Sequence, residues 1–115
     1  MDSRIVAAVD CTSSATFGPA EVSYYAYLDA VAMQVGFDAL AGNLPEGDCA
    51  RGNTRGRWTH LDIERGSLAC YESRIGETTA LWGDEETAVL ALAHDSTLTT
   101  DEMFTWWQDH AALAR

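Results

Sequence analysis

The chain has no lysine, only two prolines and an odd number of cysteines, and no apolar run in it is long enough to cross a membrane. All seven basic residues are arginine, set against eighteen acidic ones, so the net charge is −11. Duplex DNA, RNA and anionic lipid are repelled by such a field, which points to a small-molecule, cationic or protein partner instead. The missing lysine, with abundant Ala, Arg, Asp and Gly, suggests a GC-rich genome. The first apolar run, Ile5-Val6-Ala7-Ala8-Val9, is cut short by Asp10 and is neither a signal segment nor a membrane span. As an excised domain the chain would be extracytoplasmic, and as a stand-alone reading frame cytoplasmic.

Three cysteines, Cys11, Cys49 and Cys70, allow at most one intrachain bridge. Their spacing fits no zinc pattern, and neither a metal nor an organic cofactor is expected. Cys49 falls in a polar loop and Cys70 in an apolar strand. A bridge between them would tie loop to sheet and contribute roughly 3 kcal/mol; three reduced thiols are the other state.

What is present is enough for one folded domain spanning residues 1–115: 47% of the residues are hydrophobic and 22% charged, with a mean hydropathy of −0.14. β-Branched residues predict a strand over Arg4–Asp10, and Val22–Leu28 alternates, with Val22, Tyr24, Ala26 and Leu28 on one face and Ser23, Tyr25 and Tyr27 on the other. Asp29 is placed to cap a helix whose stripe is Ala30, Met33, Phe37, Leu40 and Ala41, closed by Gly42-Asn43 and Pro45. Glu46–Arg57 has no apolar period and reads as the longest irregular loop. Four strands are predicted after it, at Trp58–Ile63, Ser67–Ser73, Thr78–Gly83 and Thr87–His94, with turns at Glu64-Arg65-Gly66, Ile75-Gly76-Glu77 and Asp84-Glu85-Glu86. Such short turns leave no room for crossovers, so these strands form an antiparallel meander. Thr99-x-x-Glu102 is a capping box flanked by a Leu98/Met103 staple. It opens a last helix with a stripe of Met103, Trp106, Trp107, His110, Ala111, Leu113 and Ala114, on which one of the adjacent tryptophans should be central and the other nearer a rim. The expected fold is α+β, with an antiparallel sheet of about six strands and two helices in the order β-β-α-β-β-β-β-α.

Candidate chemistry is sparse. His60 and Asp62 alternate on one predicted strand, a spacing that would orient an imidazole for base catalysis or supply two metal ligands; neighbours of this kind on an outer strand face are more often a solvated pair, and that is the reading preferred. His94 and His110 read as a strand-end cap and a helix-terminus partner. Nucleophile-elbow, zinc-protease, dinucleotide, phosphate-loop and calcium-loop signatures are all absent. Two features stand out. The aromatic inventory is large, with Tyr24, Tyr25, Tyr27, Trp58, Tyr71, Trp82, Trp106 and Trp107, and amphipathic rings suit a recognition surface or pocket wall. Arg51, Arg55 and Arg57 make a local anion-attracting spot in an otherwise acidic chain, balanced by Glu46 and Asp48 nearby. Tyr25, Tyr27, Trp58, His60, Trp106, Arg55 and Arg57 are therefore the candidate ligand- or partner-binding residues, and no residue is assigned a catalytic role.

Read in order, Val9-Asp10-Cys11-Thr12, Val22-Ser23-Tyr24-Tyr25 leading to Met33, Gly47-Asp48-Cys49, Trp58, Leu68-Ala69-Cys70-Tyr71, Leu81-Trp82 and Trp106-Trp107 resemble a small C-terminal domain of actinobacterial secreted or membrane-tethered proteins, notably some serine/threonine protein kinases. The resemblance spans nearly the whole chain and implies a non-catalytic extracytoplasmic or regulatory module, a sensor or interaction domain, and carries over no catalytic residue. The expected function is thus a binding or sensor module that recognises a small molecule or protein through an aromatic surface. A small enzyme or cyclase with an aromatic pocket is the alternative, and an oligomerising protein using the terminal tryptophan helix is a third.

Overall fold

The structure, a computed structural model, describes residues 5–12, 19, 21–47, 49, 52–72 and 76–108. Six strands, β1 (Ile5–Thr12), β2 (Glu21–Tyr27), β3 (Thr54–His60), β4 (Ile63–Glu72), β5 (Thr78–Asp84) and β6 (Val89–Asp95), form one sheet in the order β1-β2-β6-β5-β4-β3. Every neighbouring pair is antiparallel. Helices α1 (Ala30–Ala41) and α2 (Thr100–Trp106) complete the predicted α+β order. The meander β3 to β6 is as expected, and the β1–β2 hairpin extends it beyond β6.

The two helices lie on opposite faces. Tyr27, Ala69, Leu81 and Leu90 meet Met33 and Phe37 of α1, whereas Val22, Trp58, Leu68, Cys70, Trp82 and Ala91 meet Met103 of α2 and Trp107 just beyond it. Central strands are consequently buried on both sides, and every residue of β5 is buried. This departs from the alternating pattern usual in antiparallel sheets, which leave one face wet. The alternation read in β2 survives with both sides occupied: Val22 and Tyr24 turn to the α2 cluster, Tyr25 and Tyr27 to the α1 cluster.

Local signals account for both helix starts. The Asp29 carboxylate accepts from the Ala32 N–H at 2.8 Å. Thr99 Oγ1 accepts from Glu102 N–H at 3.1 Å while Glu102 Oε1 accepts from Thr99 N–H at 2.9 Å, completing the capping box. Leu98 packs on the same cluster as the buried Met103, as a staple requires. Helix α1 docks by Ala32, Met33, Gly36, Phe37 and Ala41. Leu40, expected on that stripe, is 51% exposed. Gly36 takes a docking position because the Tyr27 ring fills the space a side chain would need, an added Cβ lying 2.3 Å from Tyr27 Oη. The expected extension of α2 through His110 and Ala114 falls outside the described residues.

Two boundaries differ from the sequence reading. The irregular segment ends at Asn53, so Arg55 and Arg57 stand on strand β3 and not in a loop; the main chain of Arg55 bonds to Pro45 and Gly47, which flank the outer side of β3. The first meander turn is Leu61-Asp62, both in the left-handed region with φ 53° and 62°, and not Glu64-Arg65-Gly66. A two-residue turn of this kind needs positive φ at both positions, and neither leucine nor aspartate announces it as glycine would. Gly66 lies inside β4 for a different reason: a Cβ there would sit 1.9 Å from the Gly83 carbonyl oxygen.

Near that close approach lies the principal buried ion pair. Asp84 is fully buried, and Arg65 clasps it through Nε at 3.1 Å and through Nη2 at 3.0 and 2.8 Å. Arg65 also reaches Glu86 at 3.1 Å and lies 6.0 Å from the Trp58 ring centre, while Glu86 N–H donates to Asp84. The Asp84 bonds hold the Arg65 guanidinium above its ordinary pKa against the opposing effect of desolvation. Replacing one member of a buried pair leaves the other without compensation, so Asp84→Ala is expected to cost about 3 kcal/mol. Urea unfolding checks this; a loss within experimental error of zero contradicts a stabilising role for the pair.

Candidate functional site

The rings of the α2 face form one connected cluster. Trp58 of β3 and Trp107 meet edge to face with centroids 5.4 Å apart, and Trp82 of β5 meets Trp106 and Trp107, each at 6.3 Å. Phe104 stacks on Trp107 at 6.0 Å. Edge-to-face and offset contacts at these separations are the favoured arrangements of aromatic quadrupoles. Trp107 is the central ring at 5% exposure and Trp106 the half-buried one at the rim, the division their angular spacing predicted.

Three anchors hold this cluster in place. Trp58 Nε1 donates to the Gly83 carbonyl at 2.9 Å. The bend before α2 is tied by Asp95, which accepts from Thr97 N–H at 2.7 Å, and by Thr78, whose hydroxyl donates to the Leu98 carbonyl at 2.5 Å. Cys49 and Cys70 are bonded, with Cα atoms 5.1 Å apart, and both belong to this core. The bridge therefore fastens the irregular loop to β4 beneath the tryptophans.

Two indole nitrogens in the cluster, Nε1 of Trp82 and of Trp107, are buried with no hydrogen-bond acceptor among the described residues. Buried donors are nearly always paired, and an unpaired one carries a desolvation cost of about 1–3 kcal/mol.

The seven candidate binding residues do not converge. Trp58 and Trp106 belong to the α2 cluster, and Trp58 is 4% exposed. Tyr25 and Tyr27 lie on the other face with α1, where Tyr27 is buried and Tyr25 half-buried. Arg55 and Arg57 also face α1, and carboxylates occupy both. Arg55 pairs with Asp38 at 2.5 Å, donates to the Gly42 carbonyl at 3.2 Å and stands over the Phe37 ring at 5.0 Å, pinning the end of α1 to β3. Arg57 pairs with Glu64, with Glu85 at 2.8 Å and with Ser67 Oγ at 3.1 Å. The hydrogen bond to Glu85, with a further contribution from Glu64, holds its guanidinium above the ordinary value against desolvation. An anion approaching either arginine would have to displace a resident acid. Arg51 and Asp48 lie outside the described residues.

His60 is the last residue of β3 and Asp62 the second residue of the turn, so the expected same-face alternation is absent: the chain reverses between them. His94 pairs with Glu77 at 2.9 Å and faces Glu21 at 3.7 Å, joining β2, β6 and the approach to β5. His110 is outside the described residues. Among the described residues no group of three His, Cys, Asp or Glu side chains could hold a metal ion, and no helix is long and apolar enough to cross a membrane.

The residues that the sequence reading left out of the site are Trp82, Trp107 and Phe104. Trp82 alternates with Leu81 and Gly83 along a strand that is buried throughout, so nothing local distinguishes it from core; its unpaired nitrogen emerges only from tertiary packing. No family model, curated protein or solved structure matches the chain.

Two measurements check this geometry. One bridge among three cysteines leaves one free thiol in denaturant before reduction and three after it. Cys49→Ser/Cys70→Ser is expected to lower stability by about 3 kcal/mol; three free thiols without reductant contradict the bridge. On the other face, burial pushes the Tyr71 phenol above its usual value. The stability conferred by the neutral form is intact below the ordinary phenol pKa of about 10 and is lost as pH rises through the raised value. Alkaline absorbance titration should show a late-ionising component that disappears in Tyr71→Phe; a titration curve whose late part is unchanged by Tyr71→Phe would refute this.

Proposed function

We propose that this domain is a non-catalytic recognition module whose ligand, a small molecule or a segment of a protein, docks at the α2 face. Trp106 is the contact ring, and the indole N–H groups of Trp82 and Trp107 read a hydrogen-bond acceptor on the ligand. The observation that carries this reading is the pair of buried donors without acceptors among the described residues, packed beside a tryptophan that is only half-buried. A polar group left unpaired in a core is a cost that a ligand relieves when it supplies the acceptor. Helix α2 has seven residues and ends on Trp106, with Trp107 as its C-cap, so the contact ring and one of the two donors stand at the same helix end. Aromatic anchors with polar handles are the residues that most often dominate binding energy.

The Cys49–Cys70 bridge supports an oxidising compartment, and with it the extracytoplasmic sensor role that the resemblance to kinase-associated domains implies. Burial of most rings narrows the recognising surface to the rim around Trp106, Phe104 and Tyr24, which pack half-buried against the cluster.

Indole emission and thermal shift, screened against acceptor-bearing small molecules and short peptides, are expected to find binders. Trp106→Ala should weaken them at least about tenfold, equivalent to roughly 1.4 kcal/mol, without unfolding the domain. Binding that is indifferent to Trp106→Ala, or turnover of a bound compound by the purified chain, would overturn the proposal.

A further inference from the structure

Among the described residues, the large apolar side chains that the fold leaves most exposed gather at one end of the sheet. They are Leu61, Leu28, Val31 and Ile63, from 81% for Leu61 to 64% for Ile63. β2 runs parallel to β5 across β6, and β4 begins where β5 ends. Leu28 just beyond β2, Val31 in the first turn of α1 and the β3–β4 hairpin therefore all stand at that end. Backbone bonds from Tyr27 N–H to the Ala88 carbonyl at 2.9 Å and from Glu85 N–H to the Arg65 carbonyl at 2.7 Å join the strand ends between them. The hairpin tip reaches past its neighbour: the β4–β5 ladder begins at Leu68 and Trp82, while β3 and β4 stay paired out to His60 and Ile63.

Leu61 is costly where it stands. Its φ of 53° is a conformation that a bulky side chain rarely adopts, and asparagine or glycine is the usual residue of such a turn. A leucine held there with most of its surface in water adds little packing to this chain. Strained positions of this kind collect where function, not stability, sets the residue. Around the four apolar side chains the end is acidic. Asp29, Asp62, Glu64 and Glu86 are exposed there, and the two arginines that reach it, Arg57 and Arg65, are already bonded to acids of this chain.

We infer that this end of the sheet is a docking surface for a cationic amphipathic segment of another protein, which lays apolar side chains on Leu28, Val31, Leu61 and Ile63 and basic ones beside the surrounding carboxylates. Charge decides between occupants: an acidic rim around apolar knobs repels an anionic lipid surface and a second copy of the same end, and attracts a segment of opposite sign. Strands β2 and β4 are three strand spacings apart, roughly 14 Å, a distance that about ten residues of helix cover. The inference is independent of ligand binding at the α2 face, because none of the four side chains belongs to the ring cluster there.

The probe is a synthetic amphipathic helix of about 14 residues with one leucine face and one lysine face, titrated with the full chain by fluorescence anisotropy. It is expected to bind, whereas the same peptide with glutamate for lysine, or with serine for leucine, is not. Leu61→Asn/Ile63→Thr and Leu28→Ser/Val31→Gln should each weaken binding at least about tenfold, the loss expected when two apolar side chains forgo burial. Val9→Ser/Leu40→Ser, which removes exposed apolar side chains elsewhere, should leave it unchanged. Leu61→Asn alone is expected to melt no lower than the wild type, because asparagine accepts positive φ; a lower Tm would show that Leu61 serves the fold and would overturn the inference. It is overturned equally by a leucine–lysine peptide that does not bind, by equal binding of the lysine–serine peptide, or by a loss as large in the Val9/Leu40 control as in the test pairs. Attachment to vesicles of anionic phospholipid that is abolished by Leu61→Asn/Ile63→Thr would assign this end to a membrane instead.

Discussion

A helix covers each face of one antiparallel sheet, and the burial this imposes on β4 and β5 is the constraint from which most other features follow. Side chains on β5 and on the middle of β4 have no wet face to turn to, so a polar group there is costly unless the protein supplies a partner. Asp84 finds Arg65, Thr78 finds the Leu98 carbonyl, and Trp58 finds the Gly83 carbonyl. The last contact coincides with a place where strand and ring crowd together, which is why Gly66 carries no side chain beside Gly83. Apolar packing on the two faces thus depends on a small polar clasp at one end of the central strands.

The same constraint separates tryptophans that are paired from those that are not. Trp58 sits where a main-chain carbonyl is free to accept, whereas Trp82 and Trp107 are enclosed by other rings and find no acceptor for their nitrogens among the described residues. Aromatic contacts compensate for part of that desolvation, each contributing about 0.5–1.5 kcal/mol beyond area burial. Trp106 remains as the ring that links this interior to the surface. Polar chemistry on the opposite face is of another kind: Arg55 and Arg57 bind carboxylates of this chain and so fasten α1 and the hairpins to each other. Partly exposed pairs of this sort add modest stability and more geometric definition.

The sheet centre is covered and its edges are not equally so. On the β3 side, residues 45–47 run alongside Arg55, giving that edge main-chain partners. β1 has no described counterpart. The asymmetry is a consequence of chain order, since α1 crosses from β2 over the sheet interior and delivers the chain to the β3 end, away from β1.

Residues such as Asp29, Gly42, Thr99 and Glu102 made the helix starts and stops legible in the sequence, because capping is a contact between near neighbours and needs no knowledge of the rest of the fold. Period-two patterning likewise identified strands and their meander order. It misplaced the first meander turn because Leu61 and Asp62 adopt left-handed backbone without glycine, while Gly66, the conspicuous turn signal, is in a strand for steric reasons. The candidate site was legible only as an inventory: the sequence supplied aromatic rings and arginines, but alternation along β2 says that Tyr24 and Tyr25 point oppositely and not which layer each will meet. Element identity, capping and the Cys49–Cys70 opportunity were local properties of the chain. Which rings share a face, which indoles lack an acceptor and which arginines are already paired were decided by packing, because each depends on groups brought together from distant positions along the chain.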